Sequence, residues 1–101
     1  MPTHEEALLG ALGICRKAGR LLYGYDRVEE AVLRGKVVLV LLASDASQRT
    51  ADHMHTLCDK VIPCKTMPLT SVQLAMLTPR PTAVYGVTDG NLARLCAQHL
   101  A

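Results

Sequence analysis

Seven consecutive apolar residues, Val37 to Ala43, run through this chain without one polar interruption. A strand wet on one face alternates, so an unbroken run of this kind reads as a strand buried on both faces, at the centre of a sheet covered by helices. The run is far shorter than the ~20 residues a bilayer-spanning helix needs. No membrane span is therefore expected. A chain of 101 residues, half of them apolar, buries roughly 65% of the surface it exposes when unfolded. One domain spanning residues 1–101, with a core of its own, is expected, and disorder is excluded.

Helical and extended patterns alternate around that run. Leu8, Leu9, Leu12 and Cys15 recur at helical spacing after a capping Thr3 and the acids Glu5 and Glu6, and Gly19 ends the helix. Leu21 to Tyr23 is a short extended segment closed by Gly24. A second helix is expected from about Asp26 to Arg34, with Val28, Ala31 and Val32 inward and Gly35 at its end. The loop Ser44 to Ser47 caps a third helix reaching about Lys60, whose inner face is Met54, Leu57 and Cys58. Val61 to Lys65 is a strand that Pro63 confines to an edge position. Ser71 to Leu77 reads as a short helix stopped by Thr78-Pro79-Arg80-Pro81, followed by a strand over Ala83 to Val87 and a helix over Asn91 to Leu100. This alternation predicts an α/β/α sandwich of three layers with a largely parallel or mixed sheet.

Charge and chemistry narrow the function. Eleven Lys and Arg against nine Asp and Glu leave a net charge of +2, short of the basicity that alone announces a nucleic-acid binder. Arg16, Lys17, Arg20, Arg27, Arg34 and Lys36 nevertheless crowd into one stretch of 21 residues. The N-terminus carries Glu5 and Glu6 where a secretory signal needs positive charge, so a cytoplasmic protein is expected. The four cysteines form no CxxC pair and read as free thiols. His53, His55 and Cys58 suggest a metal or thiol centre, but on a helix residues 53 and 55 point about 200° apart, and ordinary packing accounts for the spacing. No metal or other cofactor is expected. The phosphate-loop, dinucleotide and nucleophile-elbow motifs are all missing, so no catalytic residues are assigned and no enzyme is expected.

Trp and Phe are absent and Tyr23, Tyr25 and Tyr85 are the only aromatics, which excludes a stacking platform for single strands. A shaped, double-stranded RNA element can still be held at a helix N-terminus, where free backbone N–H groups accept phosphate. Gly24, opening the second helix inside the basic region, suits that role and equally suits an ordinary turn.

Leu8-Leu9-Gly10, Arg16-Lys17-Ala18-Gly19-Arg20-Leu21, Gly24, Arg34-Gly35-Lys36, Val40 to Ser47, Pro63 and Val87-Thr88-Asp89, in that order, resemble the bacterial YlxQ-type proteins. These fall in the ribosomal protein L-seven-Ae superfamily, whose members bind kink-turn RNA. The resemblance implies a four-stranded mixed sheet and RNA contact through the helix that Gly24 opens. The three positions that read sheared G·A pairs in the binding members correspond here to Asp26, Arg27 and Glu30. Their polarity is inverted: Arg27 donates where a carboxylate would accept, and Glu30 accepts where an ammonium would donate. Asp52 and His53 stand where relatives tend to carry paired lysines, and the loop Leu77 to Ala83 that closes over RNA keeps one cation, Arg80.

The expected interface comprises Gly24 and Tyr25 through their backbone N–H groups, Asp26 and Glu30 at the base-reading positions, and Arg27, Arg34, Lys36 and Arg80 on phosphates. Arg16, Lys17 and Arg20 are further phosphate candidates. The expected partner is structured RNA, ribosomal RNA included, bound by a monomer. The alternative is a scaffold of the same fold that binds a protein of the translation machinery through an exposed patch of Tyr23, Tyr25 and Leu77. A third reading, a thiol or metal enzyme, would use His55 and Cys58.

Overall fold

The computed structural model describes residues 3–59 and 61–100. Met1 and Pro2, at the head of the segment read against secretion, and Lys60, the expected end of the third helix, lie outside the described residues. In chain order the elements are α1 (His4–Lys17), β1 (Leu21–Tyr23), α2 (Tyr25–Leu33), β2 (Leu39–Leu42), α3 (Gln48–Cys58), β3 (Cys64–Thr66), α4 (Ser71–Leu74), β4 (Val84–Val87) and α5 (Gly90–Ala97). The four strands form one sheet in the order β1-β4-β2-β3. β4 runs antiparallel to both β1 and β2, while β2 and β3 are parallel. The sheet is mixed, with a single parallel pair.

The apolar run sits where its composition demands, in the interior of the sheet, and every residue of β2 is buried. Leu39 and Leu41 face a core shared with Leu8, Leu12 and Cys15 of α1 and Cys96 of α5. Val40 and Leu42 face the opposite core, with Val28 and Val32 of α2 and Met54 and Cys58 of α3. One sheet between two helical layers is the three-layer sandwich that the alternation predicts. The ladder is shorter than the run: Val38 lies outside it and is 41% exposed, because the run begins beyond the end of the sheet.

Caps set the helix limits. The Thr3 hydroxyl accepts from Glu6 N–H at 3.1 Å, the Ser47 hydroxyl from Thr50 N–H at 3.1 Å, and the Asp89 carboxylate from Leu92 N–H at 3.0 Å. Asp45 takes both the amide of Ser71, at 2.9 Å, and its hydroxyl, at 2.8 Å. These bonds hold its carboxyl below the usual carboxylate range. Among the described residues no helix is long and apolar enough to cross a membrane.

Three expected boundaries move. Val61 to Pro63 is not strand: Val61 N–H and Ile62 N–H both return to Cys58 O, at 2.9 and 3.3 Å, after Asp59 adopts a left-handed φ of 43°. Pro63 contributes only its carbonyl, which accepts from Val40 N–H at 2.9 Å. The fourth helix closes at Leu74 through tight turns, with Ala75 N–H on Val72 O and Leu77 N–H on Leu74 O. The last helix stops at Ala97, and His99 and Leu100 fold back by similar turns onto Cys96 and Ala97.

Candidate nucleic-acid interface

The turn into α2 is made by a residue that has to be glycine. Gly24 has φ 102° and ψ 141°, a conformation that L side chains rarely adopt. Its N–H donates to Val84 O at 3.0 Å, and its carbonyl accepts the first intrahelical bond, from Val28 N–H at 3.0 Å. With no side chain capping this end, the amides of Tyr25, Asp26 and Arg27 precede that first bond and face outward on exposed residues. The positive end of the α2 dipole is directed to the same place.

Sheet topology gathers other segments there. β1 and β2 are each antiparallel to β4 and therefore leave the sheet at one end, which places the starts of α2 and α3 side by side. The loop before β4 reaches the same end. Ala83 O accepts from Ala43 N–H at 2.8 Å, and the neighbouring Val84 O holds Gly24. Arg80 is exposed in this loop, and its carbonyl accepts from the Thr78 hydroxyl at 2.6 Å.

One flank of α2 carries charge. Arg27, Glu30, Arg34 and Lys36 line a single shallow groove of about 240 Å³ beside Leu22 of the edge strand β1. Four of the expected site residues are thus brought together. Glu30 is already engaged, with an oxygen 2.8 Å from the Arg34 guanidinium. Arg16, Lys17 and Arg20 lie elsewhere, at the end of α1 and the entry to β1, about 10 Å along a three-residue strand from the Gly24 end.

The other flank of α2 meets α3. Glu29 Oε2 lies 2.5 Å from His53 Nε2, and the His53 ring sits under Tyr25 with centroids 5.3 Å apart. Partial burial pushes the Tyr25 phenol up, as do Glu29 and Asp26, while the Arg49 charge opposes them. Glu29, His53 and Arg49 were not among the expected site residues. The clue lay in His53 and Arg49 falling on the first two turns of a helix that leaves the sheet beside α2, and topology was needed to see it.

The exposed patch expected for a protein scaffold is not assembled. Leu77 is buried and Tyr23 half-buried against the core, leaving only Tyr25, which is stacked on His53. His55 and Cys58 line one cavity at the end of α3. Cys58 is buried beside Cys64, and burial raises its pKa, so the thiolate is disfavoured. Among the described residues no group of three or more His, Cys, Asp or Glu side chains is placed to hold a metal ion.

Residues 6–97 match the model of the ribosomal protein L7Ae/L30e/S12e/Gadd45 family. Among solved structures the chain is similar to a protein with unknown function from Bacillus halodurans C, at 31% identity and a TM-score of 0.83, over 92% of this chain and 95% of that one. It also shares its fold with the 15.5kD RNA binding protein of Giardia lamblia, at 23% identity and a TM-score of 0.76, over 93% of this chain and 82% of that one. No curated protein sequence matches. With the family match covering all but the chain's ends, and the four-stranded mixed sheet agreeing with it, this chain belongs to the ribosomal protein L7Ae/L30e/S12e/Gadd45 family.

Proposed function

We propose that this protein is a non-catalytic, monomeric cytoplasmic member of the YlxQ branch that binds structured RNA of the kink-turn type, ribosomal RNA included. The observation that carries this reading is the uncapped start of α2. Gly24 leaves three exposed amides at a positive helix end, and the cationic groove of Arg27, Arg34 and Lys36 continues from it along the helix. Phosphates are held by the Tyr25 to Arg27 amides and by these cations, with Arg80 closing from the neighbouring loop. Asp26 and Glu30, at the base-reading positions, repel rather than read, so recognition rests on the shape of the kinked backbone more than on the G·A edges. The shared fold of an RNA-binding protein from Giardia lamblia supports the reading.

The test is the salt dependence of binding in an Arg27→Glu variant. If Arg27 touches phosphate, the variant binds more weakly and its slope of log K against log salt is shallower by about 1. An unchanged slope with unchanged affinity removes Arg27, and with it this face, from the interface.

A further inference from the structure

α5 packs on α1 and β4 and leaves the outer edge of the sheet uncovered. Between α5 and the start of β2 and β3 lies an open groove of about 540 Å³, within the roughly 300–1,000 Å³ typical of small-molecule sites. Its floor is Val38 and Leu39, and its helical wall is Ala93 and Ala97, one turn apart on α5. Val38 is 41% exposed, so apolar floor lies open to solvent.

Two cations stand on the rim, Lys65 and Arg94. Lys65 is paired in register with Leu41, whose side chain belongs to the α1 and α5 core, so Lys65 sits on the sheet face that α5 covers. Arg94 follows Ala93 directly on α5. Among the described residues neither cation forms a salt bridge, the ion pairs there being Arg34 with Glu30 and His53 with Glu29. Asp89, beside the groove, is turned onto Leu92 N–H as the cap of α5.

An exposed apolar floor beside two cations, with no carboxylate of the described residues lining the groove between them, is complementary to one kind of molecule. We infer that the groove binds a small amphipathic anion: a compact apolar ring or branched chain carrying a single carboxylate. The apolar body covers Val38, Leu39, Ala93 and Ala97, and the carboxylate takes the planar fork of Arg94 with Lys65 as the second charge. The groove lies at the sheet end where β2 begins, away from Gly24, and the inference stands independently of RNA binding.

The experiment is a titration of the ¹⁵N-labelled full chain with 2-naphthoate and, separately, with its uncharged counterpart 2-naphthamide, followed by amide chemical shifts. Saturable shifts confined to Leu39, Lys65, Gly90, Ala93 and Ala97 are expected, with Kd below about 1 mM for the acid and at least about tenfold weaker binding of the amide. A Lys65→Gln/Arg94→Gln variant with an otherwise unchanged spectrum is expected to bind the acid no better than the amide. Unsaturable or scattered shifts, equal affinity for acid and amide, or an unaffected double variant would overturn the inference. So would shifts at the groove that grow with protein concentration alone, which would mark it as a contact between two copies of the chain.

Discussion

The Glu30 carboxylate on α2 and the guanidinium of Arg34, the residue that ends the helix one turn later, meet at 2.8 Å, with both side chains about two-thirds exposed. Glu30 thus occupies a base-reading position in the proposed interface while competing with phosphate for a neighbouring cation. Replacing Glu30 with Gln removes a repelling charge and frees Arg34. RNA affinity in low salt is expected to rise about three- to tenfold, with the gain shrinking as salt screens it. Because the pair is exposed, stability is expected to change by less than about 0.5 kcal/mol. Filter binding at two salt concentrations and a denaturant melt check the two halves separately.

Gly24→Ala places a Cβ on a backbone at φ 102° and ψ 141°. Space is not the obstacle, since nothing lies within 4 Å of the added carbon. The cost is conformational, about 1–3 kcal/mol, and each kcal/mol lowers Tm by roughly 4–8 °C in a domain of this size. A melt within about 2 °C of the parent, half the smallest shift expected, would show that the turn relaxes freely.

Two other glycines are expected to answer with opposite signs. Gly10 lies exposed inside α1 with open space around it, so Gly10→Ala is expected to stabilise by about 0.5–1 kcal/mol. Gly86 lies in β4 beneath α2, where a Cβ would stand 3.3 Å from both Val37 methyls and 3.4 Å from a Val28 methyl. Gly86→Ala is expected to destabilise by about 1–3 kcal/mol through overpacking. Urea unfolding of the two variants side by side tests the contrast.

Much of this fold is legible from side-chain pattern, and the reasons for the exceptions are local. Val37 to Ala43 announces an interior strand because an unbroken apolar run of this length matches a buried strand and is short for a buried helix. Gly24 and Gly35 bracket α2 as written, both at positive φ. The strand expected at Val61 arrives three residues late because the left-handed turn at Asp59 spends Val61 and Ile62 on bonds to Cys58. The position of β4 between β1 and β2 is a pairing choice that no single segment encodes. For the same reason the contact of Glu29 with His53, 24 residues apart, is invisible before the helices are placed. The groove of Arg27, Arg34 and Lys36 was legible as composition, whereas the remoteness of Arg16, Lys17 and Arg20 was not, because it follows from where β1 starts and stops.

The thiols carry a pH prediction. Cys15 and Cys96 face each other across the core with sulfurs 3.6 Å apart, and burial pushes Cys96 up to about 12. Cys64 is likewise pushed up to about 12 by burial, with Cys58 adding to it. A raised folded pKa contributes stability that is complete below the unfolded value of about 8.5. That contribution is lost as pH climbs from there toward 12. Stability is expected to decline above about pH 9, and a Cys64→Ala variant to decline less steeply. At neutral pH all four thiols are expected to react slowly with a disulfide reagent in the folded protein and rapidly once it is unfolded. A fast thiol in the native protein, or equal alkaline slopes in parent and variant, would contradict this.

Kink-turn binding is tested most directly by titrating the protein with a kink-turn RNA and with a matched duplex lacking the tandem G·A pairs, each at two salt concentrations. Tighter binding to the kinked RNA than to the duplex is expected, weakening with salt for both. Equal, weak binding to the two RNAs, or no binding to either, would contradict it and turn attention to a protein partner for this fold.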